Sequence, residues 1–177
     1  MLLCVITFGF SQDYFINEDF TKEKVKFKIP FEPDWDKDFF IETEVKIAVT
    51  NTVSEENAGI IFGYDNSGEK EKFYALYIQN ASANEKKAID YFKFRAYNVP
   101  FYENNEVWQN TSVINHEGYN RLQIYKIDNE AFFSINDQVI YHIKDIQTKG
   151  DQFQLVTGKN GINCNYIHAY YLDKSKS

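Results

Sequence analysis

Two glutamates at alternate positions, Glu42 and Glu44, come nearest in type and spacing to residues that could do acid-base chemistry. In an extended strand they lie on one face, roughly 7 Å apart. A retaining glycoside hydrolase holds two carboxyl groups about 5 to 5.5 Å apart, one as acid and one as nucleophile. The alternating carboxylates stop at Lys46, whose charge is of the wrong sign. A solvated strand face is therefore the simpler interpretation, and catalysis by Glu44 with Glu42 is the alternative.

Binding a sugar demands less than cleaving one. It needs an aromatic ring under the apolar face of a pyranose and a few polar groups for the hydroxyls. Strand alternation places Tyr77, Tyr91 and Arg95 on the outward side of one sheet, and with Glu44 they are predicted to line a shallow groove. The alternative is that Glu44 and Arg95 form a cross-strand ion pair while the tyrosines merely cover the sheet.

Three further side chains are assigned by their local context. Trp108 follows the apolar and aromatic segment 99–102 and is predicted to be an exposed platform on a loop. Trp35, between Asp34 and Asp36, is predicted to close the edge of the core. Cys164 lies in a strand-like run without a nearby His or Cys at ligand spacing, which predicts a buried, unreactive thiol.

The pattern for a bound metal is incomplete. Asp34, Asp36 and Asp38 resemble the start of a calcium loop, but Phe39 stands where that loop requires glycine. The three histidines lie too far apart for any pair to have zinc-ligand spacing. We therefore expect no metal or other cofactor, with calcium at this loop as the open alternative.

These side chains need β-strands to position them, and period-two alternation indicates strands from Lys24 onward. About ten such runs occur: 24–29, 39–49, 58–64, 73–79, 89–96, 119–127, 131–136, 139–143, 153–157 and 164–172. Asn136-Asp137 predicts a two-residue hairpin turn, because both residue types tolerate positive φ. Many short antiparallel strands predict an all-β sandwich or barrel, since a single sheet would leave one apolar face in water.

Length and charge narrow the function classes. A chain of 177 residues fits one domain, and we expect a monomer. No apolar run is long enough to cross a bilayer, so membrane insertion is not expected. The formal net charge of −7 repels a phosphate backbone, so nucleic acid is not expected as a partner.

The N-terminal segment predicts export. Met1 to Phe10 form an apolar run with small residues placed for cleavage after Ser11, which is typical of a secretory signal. Its start is predicted to be incomplete, because no Lys or Arg precedes Leu2. On this prediction residues 1–11 are removed, 12–174 form the domain and 175–177 a tail, in a secreted, periplasmic or cell-surface protein. A buried first strand is the alternative.

A series of motifs in a fixed order carries a family resemblance. They are FFIETEV at 39–45, NAGIIF at 57–62, FYALYI at 73–78, YNRLQI at 119–124 and FFSIND at 132–137. Together they resemble the concanavalin A-like lectin/glucanase superfamily, most closely the laminin-G-like jelly rolls of secreted Bacteroidota proteins. The resemblance implies a two-sheet antiparallel jelly-roll β-sandwich with a concave face on which relatives bind or cleave glycans.

One enzymatic branch of that superfamily, the 3-keto-disaccharide hydrolase type, matches in part. Its pattern has an acidic residue on the long strand, an Asn-small-Gly turn ending in Phe-Arg, and a Tyr-Glu pair on the next strand. Glu44 and the run 57–59 match this pattern. Gly63 stands at the Arg position and Ala75 at the second acidic position. The resemblance therefore implies a sugar-binding surface without the complete catalytic set.

The residues and the resemblance together predict a secreted, non-catalytic module that recognises a glycan, a cell-surface polysaccharide or a protein through its concave face. The predicted ligand-binding residues are Glu44, Tyr77, Tyr91, Arg95 and Trp108. Two alternatives stay open: a glycoside hydrolase that uses Glu44 with Glu42, and a structural or protein-binding domain. An open groove shared by Glu44, Tyr77, Tyr91 and Arg95 would favour the first hypothesis.

Overall fold

The computed structural model describes residues 14–20, 28–30, 32–47, 57–79, 112–115, 118–157 and 162–173, together with the backbone of 91–97 and 105–110. All regular elements in these ranges are β-strands. They are β1 (Tyr14–Asp19), β2 (Lys28–Pro30), β3 (Phe39–Ile47), β4 (Asn57–Asp65), β5 (Lys72–Gln79), β6 (Tyr91–Tyr97), β7 (Asn105–Asn110), β8 (Asn120–Ile127), β9 (Glu130–Ile135), β10 (Gln138–Ile143), β11 (Gln152–Thr157) and β12 (Ile162–Tyr171).

The strands form two six-stranded sheets. Sheet 1 has the order β1-β12-β3-β8-β9-β10, and sheet 2 has the order β2-β11-β4-β5-β6-β7. Neighbouring strands pair antiparallel. The chain passes from one sheet to the other between β1 and β2, β2 and β3, β3 and β4, β7 and β8, β10 and β11, and β11 and β12. The predicted fold class is confirmed: the protein is an all-β, two-sheet antiparallel jelly-roll sandwich.

The core lies between the inner faces of the two sheets. Ile41 and Val45 reach it from sheet 1, and Ile60, Leu76 and Ile78 reach it from sheet 2, all with 1% exposure or less. Each buried aliphatic side chain contributes about 1.5 to 3 kcal/mol to stability. Since alternate residues on a strand point to opposite sides, the residues between these core positions form the outer faces, which are free to carry a function.

One edge of the core is closed by Trp35, as predicted. Its ring lies 5.5 Å from that of Phe39 and 5.6 Å from that of Phe62, measured between centroids. The Lys126 ammonium, with a side chain only 1% exposed, donates hydrogen bonds to the carbonyl oxygens of Trp35 and Lys37. The loop that carries Trp35 is therefore tied to the end of β8.

The predicted hairpin turn is confirmed. Asn136 and Asp137 join β9 to β10 with φ of 49° and 68°. The Asn136 side chain extends the turn, because its Nδ2 donates to the carbonyl oxygen of Val113 at 2.7 Å and its Oδ1 accepts from the Arg121 amide at 2.9 Å. The turn thereby links β8 to the segment that precedes it.

Two strands of the structure were not predicted from the alternation pattern. β1 and β7 lie at the edges of sheet 1 and sheet 2, where a strand has one neighbour and its sequence is more polar. Trp108 was predicted to lie on a loop, and this is wrong: it lies within β7.

The predicted signal segment 1–11 and the tail 175–177 lie outside the described residues. The part of the chain that the structure describes holds no helix with the length and apolarity to span a bilayer.

Candidate functional site

The predicted site residues are divided between the two sheets. Glu44 lies on β3 in sheet 1, whereas Tyr77, Tyr91, Arg95 and Trp108 lie on β5, β6 and β7 in sheet 2. The prediction that Glu44 shares a groove with the other residues is therefore wrong. The alternative prediction, an ion pair between Glu44 and Arg95, is also wrong. Alternation reports the side of a strand on which a residue lies, but it does not report the sheet to which that strand belongs.

The outer face of sheet 2, here called the Tyr77 face, gathers the other predicted positions. Directly opposed residues of antiparallel strands share a face. The register across β5, β6 and β7 gives three adjacent rows: Ala75, Arg95 and Glu106; Tyr77, Lys93 and Trp108; and Gln79, Tyr91 and Asn110. The four predicted positions of sheet 2 therefore fall on one face and within three neighbouring rows.

Small residues shape the Tyr77 face beside Tyr77 itself. Gly59 lies opposite Tyr77 on β4, and a Cβ atom there would meet Tyr77 Cδ1 at 2.8 Å. Tyr77 therefore lies against the backbone of β4 in a position that only glycine permits. Ala75, two residues away on the same strand, is fully buried although it points away from the core. The surface is thus recessed next to the half-buried tyrosine.

Gly63 does not belong to this surface. It lies where the β4–β5 register shifts, with φ of 63°, which favours glycine. Its carbonyl oxygen accepts a hydrogen bond from Thr148 Oγ1 at 2.8 Å, and Thr148 is itself buried. The residue at the position where the hydrolase pattern has Arg is therefore part of a β-bulge packed on a neighbouring loop.

The outer face of sheet 1, here called the Glu42 face, holds a polar network around Glu42. Tyr166 donates its hydroxyl to Glu42 Oε1 at 2.6 Å, and Gln123 Nε2 donates to Glu42 Oε2 at 2.8 Å. Burial, followed by the hydrogen bond to Glu42, raises the pKa of the Tyr166 phenol above its usual value. Glu44 accepts a hydrogen bond from Asn165 Nδ2. Both glutamates of the hypothetical catalytic pair are thus engaged by neighbours on the same sheet.

A row of aromatic rings crosses the Glu42 face and was not predicted. The register aligns Tyr170, Phe40, Tyr125, Phe132 and His142, one residue each from β12, β3, β8, β9 and β10. Phe40 lies on the same side of β3 as Glu42 and Glu44, as strand alternation predicts, but its ring neighbours come from strands distant in the chain. The available signal was an outward aromatic residue on each of several runs, and only the strand order shows that they are adjacent.

The acidic loop has a structural use. The Asp38 carboxylate is 5% exposed, accepts a hydrogen bond from the Asp128 amide at 2.7 Å and lies 3.9 Å from Lys126 Nζ. Asp34 accepts a hydrogen bond from the Asp36 amide at 3.1 Å. Among the described residues, no three His, Cys, Asp or Glu side chains group so that they could hold a metal ion.

Cys164 is a buried thiol, as predicted. Its side chain is 5% exposed and lies 3.3 Å from Thr43 Oγ1. Burial raises the pKa of this thiol from 9.0 to about 11. At neutral pH it is protonated, so it is neither a nucleophile nor a metal ligand in this state.

Comparison with known proteins identifies the fold. No protein-family model and no curated protein sequence matches the chain. Sheep galectin-11, solved in complex with glycerol, superposes with a TM-score of 0.53 at 9% identity, over 80% of this chain and 93% of the galectin. The CBM2 module of the evolved Dit protein of Lactobacillus casei BL23 phage J-1 gives a TM-score of 0.52 at 11% identity, over 82% and 68%. A native glycosidic hydrolase gives 0.50 at 11% identity, over 76% and 65%. The chain has the concanavalin A-like jelly-roll fold.

Proposed function

We propose that this protein is an exported, non-catalytic module that binds a glycan on the Tyr77 face. The observation that carries the proposal is the register of β5, β6 and β7, which aligns Tyr77, Lys93 and Trp108 in one row. Two of the three positions in that row are aromatic, the residue type that binds the apolar face of a pyranose. The rows on either side lie about 7 Å away along the strands and contain residues of amide, guanidinium and carboxylate type, which suit the hydroxyls of a sugar.

The absence of a carboxylate pair argues for binding without cleavage. The three rows contain a single acidic position, Glu106, opposite Arg95. Both common mechanisms of glycoside hydrolysis need two carboxyl groups flanking the scissile bond. Glu42 and Glu44 lie on the other sheet, with the core between them and this face. The fold itself is neutral on this point, because its solved examples include a galectin, a carbohydrate-binding module and a hydrolase.

A glycan array followed by calorimetry tests the proposal. The wild type should bind at least one saccharide, and Tyr77→Ala and Trp108→Ala should each weaken that binding about tenfold, since a stacked ring is worth on the order of 1 kcal/mol. Tyr119→Ala is the matched control, because Tyr119 is 39% exposed and lies outside the Tyr77 face. Binding to no saccharide, or unchanged binding by both variants, would remove the proposal.

The same preparation tests the hydrolase alternative. Saccharides that bind are incubated with the protein and assayed for new reducing ends. We expect none. Release of reducing ends that Glu44→Gln abolishes would make the protein a hydrolase and would move the site to the Glu42 face.

A further inference from the structure

The aromatic row of the Glu42 face forms an apolar strip across five strands. Centroid distances are 5.2 Å between Tyr170 and Phe40, 4.5 Å between Phe40 and Tyr125, and 4.2 Å between Phe132 and His142. Adjacent strands lie about 4.8 Å apart, so the row is roughly 19 Å long. None of its members belongs to the core cluster. The rings therefore form two packed groups at the outer surface of the sheet, Tyr170 with Phe40 and Tyr125, and Phe132 with His142, which the register of β8 and β9 places side by side.

The rings of the row differ in solvent exposure and in tilt. Phe40 is only 7% exposed, whereas Tyr125 and Tyr170 on either side are half-buried and are tilted by 44° and 56° to the Phe40 ring. Phe40 is thus the floor of a shallow trough whose sides are tyrosine rings. A wall of this kind presents an apolar face together with a phenolic hydroxyl, which suits a ligand that is itself apolar on one face and hydroxylated at its rim.

The next row along the strands is polar. The register places His168, Glu42 and Gln123 side by side, about 7 Å from the aromatic row. Gln123 Nε2 donates to both Glu42 and Asp137, which holds the amide in one orientation. Gln123 is only 2% exposed, so the groups that a ligand can reach in this row are the half-buried Glu42 carboxylate and His168 ring. An apolar strip bordered by these two groups can stack on a sugar ring and hydrogen-bond its hydroxyls at the same time.

Charge selects among glycans. The carboxylates of Glu42, Glu44 and Asp137 lie on this face, and the guanidinium of Arg121 is engaged by Asp137. The three carboxylates outnumber the guanidinium of Arg121 and the ammonium of Lys46 on the same face, so the trough lies in a negative potential. Burial raises the pKa of Tyr125, and the carboxylates of Asp137 and Glu42 add to this increase while Arg121 opposes it. This potential disfavours uronate and sulfate groups and leaves neutral sugars as the compatible class.

The size of the strip argues against a protein partner. The strip has a footprint of roughly 19 Å by 7 Å, on the order of 130 Å², whereas a stable protein interface buries about 800 Å² on each side. A protein would therefore have to draw most of its contact area from the polar remainder of the face. We propose that the aromatic row is a second carbohydrate-binding surface, whose occupant is an extended, neutral polysaccharide lying across the strands. The inference is independent of the proposed function, because the core separates the two faces.

Affinity electrophoresis of the full chain tests the inference. The neutral probes are soluble mixed-linkage β-glucan, xylan and galactomannan, and the acidic probes are alginate and polygalacturonate. Tyr125→Ala and Tyr170→Ala should each weaken binding to a neutral probe about tenfold, since each removes one wall of the trough. Tyr125→Phe keeps the ring and should stay within about threefold of the wild type, which separates loss of stacking from loss of fold.

The outcomes distinguish the two faces. Loss of binding in Tyr125→Ala and Tyr170→Ala but not in Tyr77→Ala supports the inference and removes the proposed function. Loss in Tyr77→Ala alone overturns the inference, as does binding to acidic probes that depends on Tyr125. Self-association of the wild type that Tyr125→Ala abolishes, without any retardation by a neutral probe, also overturns it, because the strip would then serve a second copy of the chain.

Discussion

The buried Lys126 ammonium donates a hydrogen bond of 2.6 Å to the main-chain oxygen of Trp35, although the two residues are far apart in the chain. It also donates to the oxygen of Lys37 at 2.8 Å. A charged side chain is rarely this well buried unless it is paired and hydrogen-bonded. Lys126 therefore holds the Trp35 loop over the open edge of the core.

Removal of this ammonium should be costly. Lys126→Met keeps the length of the side chain, but it leaves two carbonyl oxygens and the buried Asp38 carboxylate without this partner. We expect the free energy of unfolding to fall by about 3 kcal/mol. Chemical denaturation measures this, with Lys144→Met as the exposed control. A loss below about 0.5 kcal/mol in Lys126→Met, the range of ordinary surface substitutions, would contradict the assigned role.

Gly59 offers a second test, because it lies against Tyr77. In Gly59→Ala the new Cβ would contact the Leu76 oxygen and Tyr77 Cδ1, so that β4 or β5 must shift. We expect a destabilisation of roughly 1 to 3 kcal/mol. Gly68→Ala is the control, since a Cβ there meets nothing within 4 Å. If both variants melt at the same temperature, Tyr77 does not depend on the bare backbone of Gly59.

The extent to which the sequence predicts this structure differs between strands and sheets. The alternation of Ile41, Thr43 and Val45 with Glu42 and Glu44 is a local property of an extended chain, and the buried and outward sides followed it correctly. Pairing between strands is not local. The same reasoning therefore put Glu44 in a groove with residues of the other sheet.

The edge strand β7 shows a related limit. Its sequence NEVWQN has no clear alternation, because an edge strand has few apolar neighbours to meet. The aromatic row could not be predicted from the sequence for another reason. Each ring comes from a different strand, and the order of the strands in sheet 1 differs from their order in the chain. Local pattern placed Phe40 on the outward side of its strand, and only topology brings the other four rings beside it.

The thiol of Cys164 should resist alkylation in the folded protein. With its pKa raised from 9.0 to about 11, roughly one thiol in a thousand is ionised at pH 8, which is about a hundredfold less than in the unfolded chain. We expect iodoacetamide to modify the Cys164 peptide at least a hundredfold more slowly in the folded state than in denaturant, as followed by mass spectrometry. Equal rates in the two states would show that the thiol is accessible.

His168 should make stability depend on pH below neutrality. Its ring is stacked on that of Tyr166 at 4.5 Å, and burial lowers its pKa below the usual 6.5 despite the opposing charges of Glu42 and Asp19. The unfolded chain therefore binds a proton at a higher pH than the folded one does. Stability contributed by the neutral imidazole is complete above about pH 6.5 and is lost as the pH falls towards the folded pKa.

Thermal melts of the wild type and His168→Gln between pH 5 and 8 isolate this group, because the other titrating residues are common to both proteins. At pH 8 the imidazole is neutral in both the folded and the unfolded state. If the wild type has the higher melting temperature at pH 8, the difference in melting temperature between the two proteins should shrink or reverse by pH 5. A gap that stays constant or widens on acidification would mean that the pKa of His168 is not lowered by folding, and that the carboxylates of Glu42 and Asp19 outweigh burial.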